Sequence, residues 1–168
     1  MTAATLKPRA EEQRIREASA ADVDALVHLI NAAFVVEQIA IEGDRIDARR
    51  LHEFMSRGKF LLLESSDGLV GCVFVELRRD RGYVGLLSVE PNLQMKGLGR
   101  QLMAAAEEYF TAAGCSGVDL RIISARPELL RFYSKLAYVE TGVSPMPADT
   151  PLKMACHFIH LSKPLRDR

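Results

Sequence analysis

A single mixed α/β domain, helices packed on a central sheet, is what the sequence predicts, and two observations carry the prediction. Roughly six short runs rich in apolar, β-branched and aromatic residues share the chain with about four stretches whose apolar residues recur at helical spacing. The runs are hairpin-linked neighbours in the first half and are separated by helices in the second, which implies antiparallel pairing first and parallel pairing later. With 168 residues and 48% hydrophobic content the chain suffices for one core. Residues 1–12 read as a flexible N-terminal tail and residues 13–168 as the one domain.

The elements follow in order. Asp22 is placed to cap a helix that carries Val23, Leu26, Val27, Ile30 and Phe34 on one side. A second helix spans residues 47–57. Residues 59–64 and 69–77 are β-rich runs, joined by the hairpin signal Ser65-Ser66-Asp67-Gly68. After Asp80-Arg81-Gly82, the run Tyr83-Val84-Gly85-Leu86-Leu87-Ser88-Val89 reads as a buried strand, stopped by Pro91 and Asn92. A helix over residues 98–113 buries Leu102, Ala105, Ala106, Tyr109, Phe110 and Ala113, leaves Arg100, Gln101, Glu107 and Glu108 for solvent, and is stopped by Gly114. A strand over 117–123, a helix over 127–136, a strand over 138–142 and a last strand near 155–161 complete the order.

Composition narrows the function classes. Lys plus Arg equals Asp plus Glu at 22 each, so no bulk charge draws the chain to nucleic acid or an anionic membrane, and neither is expected as a partner. The cluster Arg78, Arg79 and Arg81 falls at a hairpin turn and reads as a solvated loop. The first residues show no signal-peptide pattern, and no apolar run approaches the ~18 residues of a spanning helix. Cys72, Cys115 and Cys156 are isolated and odd in number, which suits reduced thiols in a cytoplasmic protein. His157 and His160 stand three apart on a strand and face opposite sides, so no metal site is expected.

The richest segment is Gln94-Met95-Lys96-Gly97-Leu98-Gly99, between a buried strand and a long helix. Its glycines clear side chains where backbone N–H groups point outward, and the helix N-terminus adds about half a positive charge, so a pyrophosphate would fit. A dinucleotide loop is one reading, since Asp119 lies about 20 residues on. It fails because Leu102 stands where a third small residue is required and Asp119 sits inside a strand pattern.

The other reading is a resemblance: the segment is similar to motif A of the GNAT superfamily of N-acetyltransferases, which has Gln or Arg, two residues, Gly, one residue, then Gly or Ala. Gln94, Gly97 and Gly99 match all three positions. The segment from Arg126 to Tyr138 resembles motif B of the same family, with Tyr133, Lys135 and Tyr138 at the expected spacing, whereas Arg126 replaces an Asn, Leu129 an Ala and Ala137 a Gly. The resemblance implies a GNAT-like mixed sheet of about six to seven strands, antiparallel in the N-terminal half and parallel around the cofactor cleft, flanked by about four helices. It implies acetyl-coenzyme A as cosubstrate, with no metal. Backbone amides of Gln94, Met95, Lys96, Gly97, Leu98, Gly99 and Arg100 would hold its pyrophosphate, and the strand end Leu87, Ser88 and Val89 would pair with its pantetheine arm.

The chemistry so implied is direct attack of a primary amine, on a small molecule or a peptide, at the acetyl thioester. Tyr133 is the implied general acid for the leaving thiolate, against the alternative that it only packs beside Phe132. The family's strand glutamate is absent, its position being Tyr83, which leaves Glu76 or Glu90 as base and His28 as a more distant choice. The missing carboxylate also supports an alternative, a non-catalytic acyl-coenzyme A sensor or interaction module. Residues 34–54 and the loop 143–152, stiffened by Pro145, Pro147 and Pro151, should flank the acceptor, with Glu37, Glu42 and Asp44 either drawing in a cationic amine or solubilising a loop. An uncovered last strand would invite pairing into a homodimer, whereas Lys153 and Lys163 would protect that edge.

Overall fold

The computed structural model describes residues 12–166, so the expected tail lies, but for Glu12, outside the described residues. Strands β1 (Arg14–Glu17), β2 (Lys59–Ser65), β3 (Gly68–Arg78), β4 (Arg81–Val89), β5 (Gly117–Ile123), β6 (Val139–Pro145) and β7 (His157–Pro164) form one sheet in the order β1-β2-β3-β4-β5-β7-β6. Helices α1 (Val23–Ala33), α2 (Ala48–Arg57), α3 (Leu98–Ala112) and α4 (Pro127–Lys135) complete the frame. The mixed sheet and its helices match the predicted class.

Three departures have clear physical causes. The strand β1 escaped the sequence reading because Arg14-Ile15-Arg16-Glu17 is short and charged. It exists because it pairs antiparallel to β2, Ile15 opposite Leu63. Parallel pairing is confined to β4 and β5, because β7 runs antiparallel between β5 and β6. The last strand is therefore interior, not an exposed edge, and Lys163 guards nothing: its ammonium sits 2.9 Å from Glu107. Arg81 is no solvated turn residue either, since its guanidinium grips the Asp119 carboxylate at 2.6 and 2.7 Å and donates to Ser162 at 2.8 Å, tying β4, β5 and β7 together.

Asp22 does not cap α1 with its side chain. The chain begins to coil earlier, at Ala20–Asp22, and Asp22 closes a capping box on Ser19, whose backbone N–H donates to its carboxylate at 2.7 Å. Arg16 holds the same carboxylate at 2.7 Å and Glu64 at 2.7 Å. That hydrogen-bonded guanidinium keeps Asp22 down to a pKa of about 2. A depressed folded value contributes stability that is complete above the unfolded pKa of about 3.9 and drains as pH falls toward 2. The pair lies near the surface, so about 1 kcal/mol is expected. Thermal melts from pH 6 to pH 2.5 (roughly the span of the titration) should show Asp22→Asn losing less stability than the unsubstituted protein below pH 4; parallel losses would refute the linkage.

Two apolar clusters lie on opposite faces of the sheet. One gathers Val73, Val75, Val84, Leu102, Met103, Phe110, Val118, Tyr133 and Tyr138 under α3 and α4. The other gathers Leu26, Ile30, Leu51, Phe60, Leu62, Cys72, Phe74 and Leu86 under α1 and α2, and draws nothing from β5, β6 or β7. On that second face the C-terminal strands are left uncovered beside the helices, and the step between them is a cleft. Burial in the second cluster pushes the Cys72 thiol up to about 12, which leaves it an inert packing group at neutral pH.

Candidate active site

The cleft is built by one strand pair that separates. β4 and β5 share a ladder only at Arg81–Gly117, Gly82–Val118 and Tyr83–Asp119, although both strands run on. Beyond Tyr83, β4 is paired with β3 on its other side and turns an unpaired backbone edge toward the gap. A bulge lies in that stretch, where the register slips between Cys72 and Phe74 and Leu86 adopts φ 51°. A left-handed leucine costs about 1–2 kcal/mol and is held where surroundings over-determine it. Here the Leu86 carbonyl accepts from the buried Ser88 hydroxyl at 2.9 Å, so its polarity is met inside the protein. Leu87 and Val89, on the far side of the bulge, remain half-buried at the gap.

At the end of β4 the chain makes a short turn at Pro91–Leu93 and enters α3. Met95 has φ 68° and Gly97 φ 80°, and Gly97 caps α3 with no side-chain hydrogen bond to the first-turn amides. Those N–H groups therefore face outward without partners from a capping side chain, in a concavity suited to an anion. Met95, Lys96, Gly97 and Arg100 are exposed, and a Cβ built on Gly97 would meet nothing within 4 Å. The room and donors fit a pyrophosphate. Gly99 serves differently from the expectation: a Cβ there would come 3.3 Å from the Phe132 ring, so its absence lets α3 and α4 approach. Gln94 turns its amide back to the Val89 carbonyl at 3.3 Å, joining strand end to loop.

Across the gap stands α4. Tyr133 is buried between the rings of Phe132 and Tyr138, with centroids at 4.9 and 5.7 Å. Burial pushes its phenol pKa up, opposed by nearby Arg126 and reinforced by Tyr83. No buried side-chain oxygen or nitrogen among the described residues lacks a partner, and the Tyr133 hydroxyl has none, so it reaches a point that solvent touches. Tyr138 is engaged elsewhere, donating to Glu107 at 2.9 Å. Glu76 lies opposite Tyr83 across the β3–β4 ladder and pairs with Arg78 at 3.0 Å, while Arg78 stacks on Tyr83 at 3.7 Å. Glu90 stands at the cradle end of β4, about 23 Å of strand from Tyr83. His28 is exposed on α1 in a shallow depression with Asp24, Asn31 and Asp44.

The two segments expected to flank an acceptor are joined to each other. The Glu42 N–H donates to the Pro151 carbonyl at 2.9 Å, the Lys153 N–H to the Ala40 carbonyl at 2.8 Å, and Ile41 bridges Leu152. Of the acids placed there by the sequence, Glu42 and Asp44 are exposed but Glu37 is buried, 3.4 Å from Arg126. Burial pushes the Glu37 carboxyl pKa up, against the pull of Arg126 and Arg45. Arg45 is exposed by surface area, yet protein crowds it enough to push its pKa down, with Glu37 opposing. Nothing in the sequence singled out Arg45 or Arg121. Their signal was long-range, since they sit on separate elements and each finds its aromatic ring only in the fold.

A family model described as an acetyltransferase (GNAT) domain matches residues 30–148. Among characterised proteins, the mycothiol acetyltransferase of Propionibacterium freudenreichii subsp. shermanii is 29% identical over 136 residues, which are 76% of this chain and 44% of that protein. That of Saccharopolyspora erythraea is 29% identical over 121 residues, 70% of this chain and 40% of that protein. The match spans less than half the length of either relative. In structure, the chain is similar to Ard1 from Thermoplasma volcanium, with a TM-score of 0.77 at 16% identity, covering 92% of this chain and 98% of that one. It is also similar to yncA from Salmonella typhimurium, solved with its cofactor acetyl-CoA, with a TM-score of 0.73 at 21% identity over 93% and 95% of the two chains. At such identities these two likenesses concern the fold.

Proposed function

The chain belongs to the GNAT acetyltransferase family, and from that premise we propose that it transfers the acetyl group of acetyl-coenzyme A to a primary amine of a small molecule or peptide. The observation that carries the reading is the strand pair β4–β5, which opens after Tyr83 and leads along an unpaired edge to the uncapped amides of α3. Acetyl-coenzyme A supplies the activated thioester when bound. Leu87, Ser88 and Val89 would offer backbone groups to its arm, and Gln94 to Arg100 would hold its phosphates.

Tyr133 is the proposed general acid. Burial keeps the phenol protonated at neutral pH, and its hydroxyl has no hydrogen-bond partner among the described residues, so a proton is available to a thiolate. Glu76 is the better placed of the two carboxylates for removing the ammonium proton, through water. It sits beside Tyr83, whereas Glu90 stands at the phosphate end, where a second anion would be repelled. No helix of the described residues is long and apolar enough to cross a membrane, in keeping with the proposed cytoplasmic setting.

The direct test pairs calorimetric titration with acetyl-coenzyme A and a thiol-release assay on a panel of primary amines. Micromolar or tighter binding (roughly 8 kcal/mol) together with amine-dependent thiol release is expected. Binding without release on any amine would turn the reading to an acyl-coenzyme A sensor, and absence of binding would remove the cradle assignment.

A further inference from the structure

The cleft carries more cationic groups than its own carboxylates balance. Arg81 is committed to Asp119, Arg78 to Glu76, and Arg126 to both Glu37 and Glu128, the latter at 3.0 Å. Arg45 and Arg121 have no carboxylate within salt-bridge distance among the described residues. Each instead lies over an aromatic ring, Arg45 over Phe34 at 5.4 Å and Arg121 over Phe158 at 4.0 Å. Stacking uses the face of a guanidinium and leaves the N–H donors of its edge available in a planar fork, the form that matches a carboxylate or phosphate.

The two forks belong to different elements of the fold. Arg45 belongs to the segment between α1 and α2, and Arg121 to β5, where it stands opposite His160 on the face that α1 and α2 leave uncovered. Arg45 shares the Phe34 ring with Arg126, which follows β5, and Arg121 lies over Phe158 near the same end of that strand, so both belong to one end of the sheet. Among the charges that act on Arg45, that of Arg121 comes after those of Glu37, Arg50 and Tyr83. Like charges without salt-bridge partners at one end of the sheet repel, and an anion between them would relieve the repulsion. The acids first read as a lure for a cationic amine do not reverse this field. Glu37 is matched by Arg126, and Glu42 and Asp44 are exposed, Asp44 in the depression beside α1.

We propose that the acceptor carries an anionic group, a carboxylate or another oxyanion, besides its amine, and that Arg45 and Arg121 bind this group and so set acceptor specificity. The inference deepens the proposed acetyl transfer and rests on that reading for the word acceptor. The anion is a handle separate from the reacting nitrogen: fixing it between the two forks directs the amine into the gap where the thioester would lie.

The experiment titrates the coenzyme A-loaded protein with matched ligands in two arms. One arm compares common amino acids with their amides, and the other compares phosphoethanolamine with ethanolamine. In at least one arm the anionic member should bind about tenfold tighter or more, with a preference that shrinks as salt rises. The arm that shows it identifies the oxyanion. The preference should collapse in Arg45→Gln and in Arg121→Gln, both checked for folding by thermal melts, and Arg121→Lys should recover it only in part because the fork is lost. Equal or tighter binding of every neutral member would overturn the proposal, as would a preference that survives in the Arg45→Gln/Arg121→Gln double variant. Thiol release, measured on the same ligands, reports acetyl transfer separately. A charge preference without turnover leaves the anion site standing and removes the enzyme reading, while turnover without a preference does the reverse.

Discussion

Gly97→Glu is expected to raise the dissociation constant for acetyl-coenzyme A by about a thousandfold, or roughly 4 kcal/mol, while the domain stays folded. Gly97 occupies φ 80°, where any other residue pays about 1–2 kcal/mol, but a side chain there meets no protein atom within 4 Å. The strain is affordable to the fold, and the loss of binding has other causes. A carboxylate would project into the space in front of the α3 amides, cover them and repel phosphate at short range. Gly97→Ala is the control, since it carries the same backbone strain without charge or reach, and should weaken binding only about tenfold or less. Calorimetric titration with parallel thermal melts separates the terms. Retained binding in the glutamate variant would show that the loop is a structural turn and that phosphates lie elsewhere.

Tyr133→Phe should lower kcat by about a hundredfold, the lower end of general acid catalysis, with acetyl-coenzyme A affinity changed less than about threefold. The reasoning is local. The ring packs between Phe132 and Tyr138, and phenylalanine keeps that packing, while the lost hydroxyl had no partner among the described residues to strand. Stability should therefore move by less than about 1 kcal/mol, so a slower enzyme would not be a less folded one. Because burial raises the phenol's pKa, a proton is held throughout neutral pH and lost only well into alkali. The unsubstituted enzyme should thus show no loss of rate near neutrality that traces to Tyr133. An unchanged kcat in the variant would remove the hydroxyl from the mechanism and leave Tyr133 as a wall of the pocket.

How much of this was legible beforehand differs by kind of information. Periodicity located α3 and β5 because each is a run whose neighbours in sequence are also its neighbours in burial. Glycines and Asp67 marked the β2–β3 turn for the same local reason. The proposed phosphate cradle was legible because it is made from consecutive residues. The strand β1 was not, because its four residues carry too few apolar positions to show a period, and its stability comes from β2 and from Arg16. The position of β7 was hidden too. A strand's own pattern does not say which neighbours it will choose, and here a long return carries the last strand into the sheet rather than to its rim.

The candidate site divides along the same line. Tyr133 was reached through a motif, but its environment was not: only packing of α4 against the sheet buries the ring between Phe132 and Tyr138. Glu37 looked like a surface acid until the fold set it under Arg126, which changed it from an attractor of cations into half of an internal pair.

By itself the sequence determined the class of fold, the order of the helices and of the strands from β2 onward, the glycine turn before α3 and the family to which these features belong, because each rests on the conformational preferences and spacing of residues close in the chain. Only the tertiary structure decided where β4 and β5 part, that β7 lies inside the sheet, and that Arg45 and Arg121 come to rest over aromatic rings without a carboxylate partner among the described residues. Those outcomes depend on which distant surfaces exclude water together and on charges brought within Coulomb range by the whole chain, and no window of neighbouring residues contains them.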